Sequence, residues 1–338
     1  MNEDKKIKVA ITHGDINGVG YEVILKTFGD SRMFDICTPI VYGSTKVASY
    51  HKKLLTSMPQ EMQFSSIRDA AEAQDRKFNF INLTSDEIKI DLGKSTDIAG
   101  KLSRESLNRA CADLKEGKVD VLVTAPINKK NIQAPDFDFP GHTEYLSHQF
   151  GSSSLMMMVC DRIRIGIMTN HYALKDVPGA LTHDLLYEKM MLMNESLKRD
   201  FGITRPKIAV LALDPHAGDD GVIGDFDKRV IRPVIDEVQA KGVLAYGPFP
   251  SDGFFGSSEF NKFDGVLALY HDQGLIPFKL MSFTEGVNYT AGLPYVRTSP
   301  AHGTGYDIAG KDKAASSRSV RPSTWPATSS ATASSTTN

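Results

Sequence analysis

The chain has 338 residues, 41% of them hydrophobic and 24% charged, with a formal net charge of -2. That balance fits a globular protein of enzyme size with enough chain for a large core. It lacks the basic block of a nucleic-acid or membrane-surface protein, so neither is expected as a partner. Cys37, Cys111 and Cys160 show no C-x-x-C spacing, which points to the reducing cytoplasm and away from a disulfide framework or a thiolate zinc site. The N-terminal stretch has no apolar signal-peptide core, and no run reaches the length of a membrane span.

In chain order, IKVAI (7–11) predicts a buried strand and YEVILKTF (21–28) a helix. PIVYG (39–43), FNFINL (78–83) and VDVLVTA (119–125) predict further strands. Between the last two, a helix is expected with Leu107, Cys111 and Leu114 on one face and Gly117 as its stop. LMMMVCDRIRIGIMTNHY predicts two strands joined by a tight turn at Asp161 and Arg162. Thr182 then caps a helix whose stripe is Leu186, Met190, Met193 and Leu197, a pattern of core packing. KIAVLAL (207–213) predicts a strand, 227–242 a helix, and GVLALY (265–270) a strand. Alternation of this kind defines an α/β fold with a mainly parallel sheet.

Three of these strands run into histidines: TNH at His171, DPH at His216 and YHD at His271. Parallel strands bring such ends to one edge, where three imidazoles could share a divalent cation with positions left open for substrate. Each histidine could equally be an ordinary hydrogen-bonding loop residue. A second group suits an anion. His142 and Thr143 open a predicted helix, whose free N–H groups favour phosphate or carboxylate, though Thr143 could simply cap it. TAPINKK (124–130) follows a strand with Lys129 and Lys130 at hand. Lys279, Asn288 and Arg297 follow His271; Lys279 lies in the apolar stretch IPFKLMSF, and Arg297 after GLPYV. A guanidinium matches phosphate geometry, but a structural ion pair would explain either cation. HGTGYDIAGK (302–311) allows close backbone approach to a ligand, with Asp307 able to accept from a ribose. THGDINGVGYE (12–22) is only a weak phosphate loop, without a P-loop lysine.

GDINGVGYE, VTAPINKKNI, FPGHTEYL, TNHYALKDVP, DPHAGDDG, GPFPSDGFF, YHDQGLIPFK and LPYVRTSPAHGTGYDIAGK occur in this order up to Lys311. Together they resemble the 4-hydroxythreonine-4-phosphate dehydrogenase family of pyridoxal phosphate biosynthesis. The resemblance implies an isocitrate/isopropylmalate dehydrogenase-like fold of two interleaved α/β lobes with a central cleft, forming one catalytic unit over 1–311. It implies a divalent metal (Zn, Mg, Co or Mn) on His171, His216 and His271, and substrate contacts at His142, Thr143, Lys279, Asn288 and Arg297. It implies NAD, or NADP, at the segment containing His302, Gly303, Thr304 and Asp307. It further implies a homodimer with the site at the subunit interface and metal ligands from both chains. The activity implied is oxidation of 4-phosphooxy-L-threonine to a 3-oxo acid that decarboxylates to 3-amino-2-oxopropyl phosphate. Asp252 and Lys279 are the candidate bases for the hydroxyl proton.

Two alternatives stay open: a dehydrogenase of 4-phosphothreonate or 4-phosphoerythronate, and a non-catalytic metal- and phosphate-binding protein on the same scaffold. Two departures from the family pattern stand out. The first loop reads GDINGVGYE where the family reads GDPAGIGPE. The end of the chain, within 312–338, is rich in Ser, Thr, Ala and Pro, a composition of disorder. Shifting the codons after Ala314 by one base permits an amphipathic helical sequence, so 315–338 is expected to be out of frame.

Overall fold

The computed structural model describes residues 6–59, 61–85, 87–282 and 286–315; the expectation for the tail beyond these lies outside the described residues. Its strands are β1 (Ile7–Thr12), β2 (Cys37–Gly43), β3 (Phe64–Ile67), β4 (Phe78–Asn82), β5 (Val121–Thr124), β6 (Leu155–Val159), β7 (Arg164–Ile167), β8 (Lys207–Leu211), β9 (Leu244–Phe249), β10 (Gly265–Ala268), β11 (Val287–Ala291) and β12 (Val296–Pro300). Two compact units result. The first comprises the described residues up to Phe150 and from Tyr295 onward; the second is Gly151–Pro294.

The first unit has strand order β3-β4-β2-β1-β5-β12, every neighbouring pair parallel. Its central strands are buried on both faces, as β1 shows with Val9, Ala10 and Ile11 all inaccessible. That is why they read as continuous apolar runs and not as alternation. The helix Asp97–Lys115 is capped by the Thr96 side chain, which accepts from Ala99 N–H, and it buries Leu107, Cys111 and Leu114 as expected. Gly117, at φ +69°, ends it. Several elements of this unit are absent from the sequence reading, among them two with little apolar signal. The helix Thr45–Leu54 is mostly polar and buries only Val47, Ala48 and His51. β3, FSSI, is short and has one buried residue.

The second unit has strand order β11-β6-β7-β10-β8-β9. β7, β10, β8 and β9 are parallel, whereas β6 pairs antiparallel with both β7 and β11. The antiparallel trio departs from a purely parallel arrangement, and its cause is the tight turn at Asp161 and Arg162: a connection that short can only reverse the chain. The helix His183–Arg199 starts at Thr182, whose side chain accepts from Leu185 N–H, and buries Leu186, Met190, Met193 and Leu197. The predicted helix over 227–242 begins as a π-helical turn, Asp227–Ile231, before the α-helix Arg232–Ala240. Pro233 at its start lacks the N–H that a regular ladder there would use.

IPFKLMSF differs from its sequence appearance. Its residues 276–282 belong to the helix His271–Ser282, which buries Leu275 and Phe278 and leaves Ile276, Lys279 and Leu280 exposed. The apolar look comes from both faces of one helix.

Candidate functional site

In the second unit, β7, β10 and β8 are parallel neighbours, and His171, His216 and His271 all lie beyond their carboxyl ends. This edge is where α/β sheets carry ligands. His171 and His271 come together: their ring centroids are 5.5 Å apart, and they line one open cavity of about 320 Å³ with Tyr172, Leu174, Val177, Tyr270 and Asp272. Two imidazoles sharing one tetrahedral ion at about 2.1 Å would have ring centres roughly 5 Å apart, so this pair fits. Asp272 Oδ1 lies 2.7 Å from His271 Nδ1. With Nδ1 donating to that carboxylate, Nε2 presents its lone pair, the usual way a second group fixes a ligating histidine.

His216 lies elsewhere in the same unit. It lines a separate cavity of about 430 Å³ with Asp219, Asp220, Asp227, Lys228 and Arg232 among its walls. Among the described residues no three His, Cys, Asp or Glu side chains of one chain come close enough to hold a metal ion. His216 opens a left-handed turn in which residues 216–220 all have positive φ, from 46° to 81°. Non-glycine residues pay about 1–2 kcal/mol each for that conformation, so the surroundings must impose it. The buried Asp227 carboxylate does part of this, accepting from Leu213 N–H at 2.8 Å and Asp214 N–H at 2.9 Å. Asp252, in the short helix Ser251–Gly256, and Lys279 are both exposed in this unit. Asn288 is on β11 with its buried Oδ1 lacking a hydrogen-bond partner.

The first unit holds the anion-handling residues. Arg297, on β12, is 2% exposed, and its Nε and Nη2 donate to Thr124 Oγ1 at 3.2 and 2.6 Å. Burial pulls its pKa down to about 10, opposed by the Glu144 carboxylate, so it stays a cation at neutral pH. His142 begins the helix His142–Phe150, and its buried Nε2 has no hydrogen-bond partner. Burial first, then the positive charges of Arg297 and Lys129, hold its pKa well below the ordinary histidine value. Thr143 is buried beside it. Lys129, left undecided by sequence, belongs here: a Cβ placed on Gly141 would lie 3.9 Å from its Nζ. Thr124, the other addition, was visible only as part of TAPINKK. A neutral imidazole, a helix start and two cations form a cluster suited to an oxyanion.

In the same unit, the loops 12–22 and 302–311 pack together. Val19 N–H donates to Thr304 C=O at 2.9 Å, and a Cβ on Gly18 would lie 2.5 Å from that oxygen. Tyr306 hydroxyl donates to the buried Asp15 at 2.7 Å and accepts from Asn128 Nδ2 at 2.9 Å. Asn17, standing where the family pattern has alanine, ties the loop to Lys94 C=O, Thr96 Oγ1 and Asp91 N–H. Side-chain bonds therefore order a loop that lacks the pattern's prolines. His302, Gly303 and Asp307 are exposed and Thr304 is half-buried on the second loop.

The family model for pyridoxal phosphate biosynthetic protein PdxA matches residues 35–324. The 4-hydroxythreonine-4-phosphate dehydrogenase of Bacteroides thetaiotaomicron is 50% identical over 311 residues, covering 91% of this chain and 85% of that protein. The enzyme of the same name from Sulfurihydrogenibium is 38% identical, covering 93% and 95%. The crystal structure of 4-hydroxythreonine-4-phosphate dehydrogenase from Klebsiella pneumoniae superposes with a TM-score of 0.82 at 34% identity, covering 95% of this chain and 96% of that one. The class is thus a mixed α/β oxidoreductase with the isocitrate/isopropylmalate dehydrogenase-like fold. More narrowly, the chain belongs to the PdxA family of pyridoxal phosphate biosynthesis.

Proposed function

We propose that the chain oxidises 4-phosphooxy-L-threonine with NAD, or NADP, and a divalent metal, giving a 3-oxo acid that decarboxylates to 3-amino-2-oxopropyl phosphate. The observation that carries this is the set of three histidines past three adjacent parallel strands, two of them spaced for one ion. When bound, the metal supplies a Lewis acid at the secondary hydroxyl, and the nicotinamide supplies the hydride acceptor. Zn, Mg, Co and Mn are the candidate ions, of which the imidazole donors favour Zn over the oxygen-preferring Mg and Mn.

The chain's residues do the rest. Arg297, His142 and Thr143 bind the phosphate, with Lys279 and Asn288 as further substrate contacts. The loop bearing His302, Gly303, Thr304 and Asp307 binds the nicotinamide cofactor. Asp252 or Lys279 takes the hydroxyl proton. Once the hydroxyl carbon is a ketone, the bond between the neighbouring amine-bearing carbon and the carboxylate breaks, its electron pair flows into that ketone as carbon dioxide leaves, and the amine-bearing carbon then takes up a proton to give the aminoketone.

The working form in this proposal is a cytoplasmic homodimer whose metal site is shared, His171 and His271 coming from one copy and His216 from the other. Support comes from the exposed apolar residues near each histidine. Tyr172 and Leu174 (69% exposed) follow His171; Val222 (83% exposed) and Ile223 follow His216; Ile276 and Leu280 (84% exposed) follow His271, one turn apart on its helix. Exposed apolar groups of this kind mark interfaces. The test is His216→Ala, which is expected to remain folded but lose metal and turnover. Mixing it with His171→Ala copies is expected to restore one intact site per mixed dimer. Full metal occupancy and normal turnover in His216→Ala alone would sink the proposal.

A further inference from the structure

Gln273 stands two residues past His271, in the first turn of the helix His271–Ser282, and is 8% exposed. Its Oε1 accepts from Leu269 N–H at 2.6 Å. Its Nε2 donates to Ala212 C=O at 2.6 Å and to Ser251 Oγ at 2.9 Å. These partners belong to different segments of the second unit. Leu269 lies between β10 and His271, and Ala212 lies between β8 and His216. Ser251 begins the helix that carries Asp252. A fourth segment joins through Leu269, whose C=O accepts from Thr169 Oγ1 at 2.8 Å, two residues before His171.

The bonds fall where the sheet can no longer supply them. The β10 ladder ends at Ala268 and β8 at Leu211, so Leu269 N–H and Ala212 C=O are each one residue past a strand end. Buried backbone groups require partners, and methionine would fill this space without providing them. One amide side chain, with two donors and an acceptor oxygen, meets the need of two loops at once and so fixes one against the other. A bond to only one loop would stabilise it without setting a spacing.

We infer that Gln273 is a positioning residue that sets the separation of the strand-end segments leading to His171, His216 and His271 and of the helix bearing Asp252. It acts through those loops. The inference rests on the proposed metal-assisted oxidation and adds to it the residue that registers its parts.

The experiment uses the full chain, Co²⁺ as metal probe, and inorganic phosphate as a probe of the Arg297 and His142 cluster in the other unit. Gln273→Met is expected to weaken Co²⁺ binding about tenfold or more, the usual size for a group that orients ligands. It should change the Co²⁺ absorption spectrum and lower kcat comparably, while KM and phosphate affinity hold. Ser251→Ala, which removes one bond of the set, should act in the same direction but less; it carries the test if Gln273→Met fails to fold. Leu197→Ala, a buried core change in the same unit, serves as control and should lower thermal stability without altering Co²⁺ affinity. Wild-type Co²⁺ affinity and kcat in the folded variants, or an equal Co²⁺ loss in Leu197→Ala, would overturn the assignment. Failure of the unmutated chain to bind Co²⁺ would instead overturn the metal reading and this inference with it.

Discussion

Arg297 is a buried cation that donates to the neutral Thr124 hydroxyl, with His142 close enough to feel its charge. Taking a guanidinium out of water costs several kcal/mol unless charge or hydrogen bonds offset it. The Glu144 carboxylate offsets part, and a bound phosphate would offset more through paired N–H donors. Arg297→Ala is therefore expected to weaken binding of the phosphorylated substrate by roughly 3 kcal/mol, about a hundredfold. Binding of the dephosphorylated analogue, measured by the same titration, should change little; an equal loss for both would make Arg297 structural. GLPYVRTSP showed this arginine after an apolar run but not that it was buried on a strand, because the sequence does not say which strand its neighbours are.

A different residue-scale consequence lies in the first unit. Buried His13 and His51 each stack with Tyr21, with centroids 5.3 Å apart in each pair. Burial lowers each pKa to about 4 from an ordinary 6.5. The folded pKa is depressed, so the unfolded chain binds more protons between pH 6.5 and 4. Stability is intact above 6.5 and falls as pH drops through that window, by up to roughly 3 kcal/mol per histidine. Denaturant melts from pH 7 to 4 should show this slope, and His51→Phe should flatten part of it. An unchanged slope in His51→Phe would contradict the account.

Among the elements, strand ends and capped helices were the legible part. Runs such as IKVAI and KIAVL are strands because both faces are covered, and Thr96 and Thr182 cap their helices as their positions suggest. Short or polar elements were not legible: β3 buries a single residue, and the helix Thr45–Leu54 owes its place to Ser44 capping and a narrow apolar stripe. Gln273 was visible in YHDQG as one polar residue among others. Its partners are mostly backbone groups from distant loops, which no spacing reveals. The helix it sits on lies close to the sheet, since a Cβ on Gly274 would lie 2.3 Å from Ile167 Cδ1 and 3.0 Å from Ala268 Cβ. Gly274→Ala should thus destabilise by about 1–3 kcal/mol from overpacking, despite alanine's better helix propensity of about 1 kcal/mol. Thermal melts decide it: a stabilised Gly274→Ala would show that the helix can shift away.

For the whole molecule, alternation of strands and helices gave the α/β class, and the ordered motifs gave the family. The three histidines were legible as strand-end residues, and their strands are indeed neighbours. What sequence could not show is that His216 lines a cavity apart from the His171–His271 pair. The central claim is the reaction itself. The most direct test incubates the purified full-length chain with a divalent metal, NAD and 4-phosphooxy-L-threonine, and follows nicotinamide reduction and carbon dioxide release together. The same assay is run with 4-phosphothreonate and 4-phosphoerythronate. The account predicts coupled reduction and release, abolished by a chelator, with the amine-bearing substrate turned over fastest. Preference for either sugar acid would reassign the substrate, and no NAD reduction with any of them would contradict the account.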